Sequence, residues 1–166
     1  MERNLYCYDY VERPSGEIVE LFRTEPRRLL QLSTSEAARH ADEIAAELHV
    51  ELGGLDIGKE VSIDIDAYDI VDDAGSFHLR WEAASHPALF PSMQADLKIT
   101  PLARGYRWLT QLSLVGHYRP PLGPLGLIGD AVVGHRVAEA SMHRFLRDLA
   151  SRIDQELPIA ASQHSS

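Results

Sequence analysis

The stretch Phe77-His78-Leu79-Arg80-Trp81-Glu82-Ala83 alternates apolar and polar side chains without a break. A strand points successive side chains to opposite faces, so this run reads as one strand of a sheet with a covered face and a wet face. The same period of two recurs on both sides of it. Val61, Ile63 and Ile65 alternate with Ser62, Asp64 and Asp66, and Ala95, Leu97 and Ile99 alternate with Gln94, Asp96 and Lys98. Leu48, Val50 and Leu52 alternate with His49 and Glu51. Trp108, Thr110, Leu112 and Leu114 alternate with Leu109, Gln111, Ser113 and Val115. Turn-forming stretches separate the runs: Asp56-Ile57-Gly58, Asp72-Asp73-Ala74-Gly75 and Arg104-Gly105. No crossover helix intervenes, so consecutive strands are expected to pair as an antiparallel meander.

Working outward, Leu5 to Val11 is a tyrosine-rich first strand. Pro14-Ser15-Gly16 opens a short helix with Ile18, Leu21 and Phe22 on one side, interrupted at Pro26. Ser33 followed by Glu36 has the form of a capping box, and Ala37, Ala41, Ile44, Ala45 and Leu48 continue at helical spacing, so a second helix is expected over about 34–46. At the other end, Pro120-Pro121 closes the last strand. Val137, Ala138, Ser141, Met142, Phe145, Leu149 and Ile153 then form one stripe of a long helix between about Leu125 and Glu156. Unbroken, it spans roughly 48 Å. Pro158 stops it, which leaves residues 1–158 as one domain and 159–166 as a flexible tail. The expected class is α+β: a curved antiparallel sheet of six to seven strands gripping a long C-terminal helix, with two short helices after the first strand.

The 166 residues suit one domain with a radius of gyration of about 15 Å. With 45% hydrophobic and 25% charged residues, the chain can bury a core of ordinary size. A net charge of −9 repels nucleic-acid backbones and anionic bilayers. The single cysteine, Cys7, allows neither an internal disulfide nor a thiolate metal cluster. Residues 1–6 lack the apolar core of a signal peptide, and the apolar stretch Pro120 to Gly134 is too short to span a bilayer. A cytoplasmic location is expected, without nucleic acid or integral membrane contact, and a homodimer is compatible with the sequence.

The order strand, two short helices, antiparallel strands, long terminal helix resembles the START-like helix-grip superfamily of pollen-allergen-like proteins, polyketide cyclases and lipid-transfer domains. Residues 81–91 (Trp-Glu-Ala-Ala-Ser-His-Pro-Ala-Leu-Phe-Pro), the strand around Ala95-Asp96-Leu97, Tyr118-Arg119-Pro120-Pro121-Leu122-Gly123 and His135-Arg136-Val137-Ala138-Glu139-Ala140 look like a bacterial branch of it. The resemblance covers nearly the whole chain and implies a fold that holds hydrophobic ligands. It supplies no reaction, because the polar cavity residues of members with known chemistry have no match here.

A bent sheet and a straight helix cannot touch along their full length, so a hollow is expected between them. Parity turns Ile63, Phe77, Trp81, Trp108, Leu112 and Tyr118 inward, with Met142 and Phe145 facing them from the helix. These eight are the candidate lining of a ligand site, although each also suits a filled core. Trp81, Trp108 and Tyr118 stand out, since a buried aromatic with a polar edge needs a partner for it. Tyr6, Tyr8 and Tyr10 share one parity of the first strand. Pointing inward they offer three hydroxyls to a ligand; pointing outward, the preferred reading, they pack on the wet face.

Other candidate chemistry has a plainer explanation. His49, His78 and His117 fall on outward parity and read as surface histidines rather than a zinc site, and His135 lies four residues from Glu139 as a helix-surface pair. The acidic stretch Asp64 to Asp73 lacks EF-hand spacing. Gly123, Gly126 and Gly129 lack the dinucleotide fingerprint, and no G-x-S-x-G elbow is present. No metal or cofactor is expected. With Arg80 and Arg107 outward, the inward set lacks an acid–base group, which argues against catalysis. The expected function is binding of a hydrophobic small molecule, a lipid or aromatic metabolite. The alternatives are a cyclase or dehydratase-like enzyme and an interaction module whose apolar groove, near Leu122 to Gly134, receives a partner.

Overall fold

A computed structural model describes residues 2–33, 61–83, 92–102, 108–119 and 131–157. Within them the chain forms β1 (Arg3–Val11), α1 (Ser15–Thr24), a helical stretch α2 (26–33), β2 (Val61–Val71), β3 (Ala74–Ala83), β4 (Ser92–Pro101), β5 (Thr110–Arg119) and α3 (Ala131–Glu156). The five described strands make one antiparallel sheet in the order β1-β5-β4-β3-β2. The class is α+β, with three helices including a C-terminal one. Of the six to seven expected strands, five lie among the described residues. The run Leu48 to Leu52 lies outside the described residues, as do the helix expected over 34–46, the first residues (125–130) of the expected terminal helix, and the tail.

Alternation gives the sheet its two faces. On one face lie Leu5, Cys7 and Val11 of β1, Phe77, Leu79 and Trp81 of β3, Met93, Ala95, Leu97 and Ile99 of β4, and Leu112, Leu114 and Tyr118 of β5, all buried. The other face carries Tyr6, Tyr8 and Tyr10, which are exposed, so the first strand is oriented tyrosines-outward. β2 departs from simple alternation. Ile65 pairs with Leu79, but Ala67 pairs with His78, so Asp66 is an extra residue in a β-bulge and Tyr68 comes to lie opposite Phe77. The β2–β3 hairpin turns on Asp72-Asp73, where Asp72 adopts a positive φ of 55° that aspartate tolerates better than most residues. Ala74 and Gly75, expected in the turn, already belong to β3.

The helices close the inner face. α1 starts after Pro14, whose carbonyl accepts from the amides of Glu17 (3.1 Å) and Ile18 (3.3 Å), and it buries Ile18, Val19 and Phe22. Pro26 occupies the first helical position of α2, where its missing N–H would have had no partner anyway. A helical stretch thus already runs from 26 to 33, ahead of the helix expected over 34–46. Ser33 is inside this helix rather than capping the next one: its buried hydroxyl donates back to the carbonyl of Leu29 at 2.9 Å. α3 buries Met142, Phe145, Leu146, Leu149, Ala150 and Ile153 at helical spacing, against β1 and β5 and as far as Trp81 of β3. Removing the larger of these side chains from water contributes roughly 1.5–3 kcal/mol each.

Arg13 ties the end of this helix to the sheet. Its guanidinium donates to the carbonyls of Leu157, Asp154 (3.2 Å) and Glu12 (2.6 Å), and it pairs with the Asp154 carboxylate at 3.3 Å. Its own carbonyl accepts from the buried Thr110 hydroxyl at 2.7 Å. One side chain thus satisfies carbonyls at the end of α3 that have no partner within the helix, while its backbone joins the end of β1 to the start of β5.

Gly116 is the tightest point of the sheet. A β-carbon there would lie 2.1 Å from the Gln94 carbonyl oxygen and 2.6 Å from the Ala95 β-carbon. Gly116→Ala should cost at least about 2 kcal/mol, because a backbone carbonyl cannot step aside as a side-chain end can. Phe145→Ala and Leu112→Ala should each cost about 2–5 kcal/mol. Denaturant unfolding measures all three; a loss below about 0.5 kcal/mol for Gly116→Ala would contradict the close approach of β4 and β5.

Candidate functional site

Strand register arranges the inner face in rows. Ile63 lies opposite Trp81, Trp81 opposite Met93, Met93 opposite Tyr118, and Tyr118 opposite Arg3. Directly opposed residues bring their β-carbons about 4.5–5.5 Å apart, so these five side chains form a continuous belt across the sheet. The next row holds Ile65, Leu79, Ala95, Gly116 and Leu5, and the one after it Tyr68, Phe77, Leu97, Leu114 and Cys7. The middle row is the shallow one, since Ala95 adds a single methyl group and Gly116 adds nothing.

α3 lies over the belt. The Phe145 ring meets Trp81 edge-on, with centroids 5.3 Å apart at 72°. Met142, also buried, lies one turn earlier on the same helix. Trp81 is 2% exposed, yet its indole Nε1 has no hydrogen-bond partner among the described residues. An indole N–H is a donor only, and burying one unpaired costs about 1–3 kcal/mol. Tyr118 shares the belt two strands away. Burial pushes its phenol pKa up, as does the charge of Glu139, against an opposing effect of Arg3. It therefore stays protonated and able to donate a hydrogen bond.

Of the eight residues expected to line a ligand space, Ile63, Trp81, Tyr118, Met142 and Phe145 converge on this belt and its helical cover. Leu112 and Phe77 are buried on the same face but farther along. Phe77 sits four residues before Trp81, about 13 Å away in an extended strand, and packs on Phe22 with centroids 5.1 Å apart. Trp108 is a correction. It is 70% exposed in the turn before β5, since the ladder begins only at Thr110 and a period of two has no meaning outside a strand. Met93 and Arg3 belong to the belt although alternation alone did not single them out. Their strand partners reveal them, and parity specifies a face without specifying a register.

No family model matches this chain, and no curated protein matches it. Solved structures of similar backbone course include the ZhuI aromatase/cyclase from Streptomyces sp. R1128, at 13% identity, covering 97% of this chain and 99% of that one with a TM-score of 0.46. The Mll3558 protein from Rhizobium loti is also 13% identical, with 91% and 96% covered and a TM-score of 0.43. TTHA0849 from Thermus thermophilus has 13% identity, 94% and 100% coverage and a TM-score of 0.35. At these values no residue role passes from those proteins to this chain.

The outer face holds ordinary surface polar pairs. His78 Nδ1 and Asp96 Oδ1 are 2.9 Å apart, Arg80 pairs with Asp66 at 2.7 Å, and Glu2 pairs with Arg119 at 3.0 Å and His117 at 3.9 Å. Arg80 is thus outward as expected; the bulge re-aims its neighbours on β2 instead. Among the described residues no three histidines, cysteines or carboxylates are arranged to hold a metal, and no helix is long and apolar enough to cross a membrane. His49, Arg107 and residues 122–130 of the stretch Leu122 to Gly134 lie outside the described residues.

Cys7, on the row of Phe77, is buried, and desolvation together with the charge of Asp9 pushes its thiol pKa from 9.0 up to about 12. The thiolate is the reactive form. At pH 8 the folded protein should resist an aromatic disulfide reagent for hours, while the chain in denaturant should release one equivalent of chromophore within minutes. Native labelling as fast as a free thiol would contradict this burial.

Proposed function

We propose that this chain binds a hydrophobic small molecule between the inner face of the sheet and the C-terminal helix, oriented by one hydrogen-bond acceptor. The observation that carries the proposal is the buried Trp81 N–H, without a partner among the described residues. A donor left unpaired in an apolar interior is a standing cost, and a carbonyl or ether oxygen on a guest would remove it. The surroundings suit such a guest. Trp81, Tyr118, Met93, Met142 and Phe145 offer polarisable, apolar surface, and the shallow row of Ala95 and Gly116 lies beside them. A site that is mostly greasy with one or two placed donors fixes orientation without needing charge. Tyr118, kept protonated by burial, lies on the same belt.

Binding rather than turnover is the better-supported role. A donor can hold an oxygen, but moving a proton on and off a substrate carbon needs a base, and the belt presents an indole, a phenol, a guanidinium, thioethers and hydrocarbon. A lipid or aromatic metabolite carrying a carbonyl matches this set.

The test compares two guests of the same shape, 2-acetylnaphthalene and 2-ethylnaphthalene, in the native protein and in Trp81→Phe. The native protein should prefer the ketone by about tenfold, the value of one buried hydrogen bond. Trp81→Phe keeps an aromatic ring and loses the N–H, so it should bind both guests alike while unfolding at a similar denaturant concentration. A variant that keeps the native preference, or a native protein that binds neither guest, would sink the proposal.

A further inference from the structure

An open cleft lies where α1 and α2 meet the bulged β2. This cleft has a volume of about 390 Å³, within the range of small-molecule sites. Its floor is aromatic. Phe22 and Phe77 are buried in mutual contact, and the Tyr68 ring stacks on Phe77 with centroids 5.9 Å apart and 25° between planes. Ile65 completes the apolar surface. Tyr68 is 66% exposed, so one aromatic wall of the cleft stands in solvent instead of being packed into the core.

The bulge creates this geometry. Without the extra residue Asp66, the simple alternation of β2 would turn Tyr68 to the outer face. With it, Tyr68 faces Phe77 across the β2–β3 pair, and the cleft gains a wall. The rim is cationic. Arg23 near the end of α1 and Arg27 in the first turn of α2 both line the cleft. Arg23 is shared with Glu20 at 3.2 Å, whereas Arg27 has no ion-pair partner among the described residues. Asp66, the one carboxylate among the described residues of the lining, is already neutralised by Arg80 at 2.7 Å. On a chain of net charge −9, an aromatic slot rimmed by two guanidiniums is a local reversal of sign.

We infer that this cleft binds a flat aromatic carboxylate, its ring against Tyr68 and Phe77 and its carboxylate on Arg27, with Arg23 as the second cation. Guanidinium groups match a planar carboxylate in two-point fashion, and stacked rings hold an aromatic guest by a preference for offset contact. The site is separate from the belt around Trp81 and does not depend on it. Its ligand differs in chemistry too, since the belt offers a buried indole donor among apolar side chains and the cleft offers an exposed pair of guanidiniums.

Calorimetric titration with 2-naphthoate, 2-naphthylmethylammonium and neutral 2-acetylnaphthalene distinguishes the two sites. The native protein should take up 2-naphthoate and discriminate against the ammonium at low salt, with the preference shrinking as salt screens the exposed rim. Arg27→Gln should weaken 2-naphthoate about fivefold, the scale of one exposed charge pair, and Arg27→Glu should abolish the preference for the anion. Tyr68→Ala should weaken every ring that enters the cleft. Both positions are exposed, so these variants should fold normally. Trp81→Phe should leave 2-naphthoate binding unchanged. Equal binding of anion and cation, indifference to Arg27→Glu, or loss of 2-naphthoate in Trp81→Phe would each overturn the inference.

Discussion

One requirement organises the molecule: the apolar face of a five-stranded sheet must be covered, and the covering helix at the far end of the chain must be held in place. The strands alternate cleanly enough that Leu5, Leu79, Leu97 and Leu114 all fall on one side. Nothing in the strands alone hides that side from water. α3 does so with Met142, Phe145, Leu149 and Ile153, while α1 closes another part with Ile18 and Phe22. Arg13 then fixes the end of α3 to the corner where β1 finishes and β5 begins. Pairing the first strand with the last makes this corner possible, because it brings the two ends of the described fold together.

The covering is uneven in a way that matters for function. Along the inner face, deep rows built on Trp81 and Phe77 flank a shallow row containing Ala95 and Gly116. Gly116 is there because β4 and β5 approach too closely for any side chain. The same row therefore contributes little volume of its own. Trp81, next to it, presents its N–H to an interior in which no described group accepts it. Structural constraint and binding chemistry meet at neighbouring positions, one set by strand spacing and the other by an unpaired donor.

Much of this was legible in the sequence, for identifiable reasons. Strict alternation located β1, β3 and β4 and the outward tyrosines, and the 3.6-residue stripe located α3. The features that escaped depend on register or long-range contact. Asp66 looks like one more polar residue in an alternating run, and only pairing with β3 shows it as a bulge. Ser33 followed by Glu36 has the local form of a cap, but a helix already running from 26 overrides that form. Trp108 obeys the parity of β5 while lying outside the strand. Arg13 carries no local signal of its role, since apart from the neighbouring Glu12 carbonyl its partners are about 100 to 140 positions away. In the candidate site, parity found the face and the aromatic residues. It could not say that Trp81 and Tyr118 share a row, nor that the Trp81 N–H lacks a partner among the described residues.

The two tryptophans make the central claim directly measurable, because one is buried beside the proposed guest and the other stands in solvent 27 positions later. Each contributes one indole N–H signal to a two-dimensional nitrogen–proton spectrum, and loss of a signal in Trp81→Phe assigns the pair. Titration with 2-acetylnaphthalene should shift the Trp81 indole signal downfield, as a new hydrogen bond does, and leave the Trp108 signal in place. A Trp81 signal that stays fixed while the protein binds the ketone would show that the buried donor is not the ligand's partner.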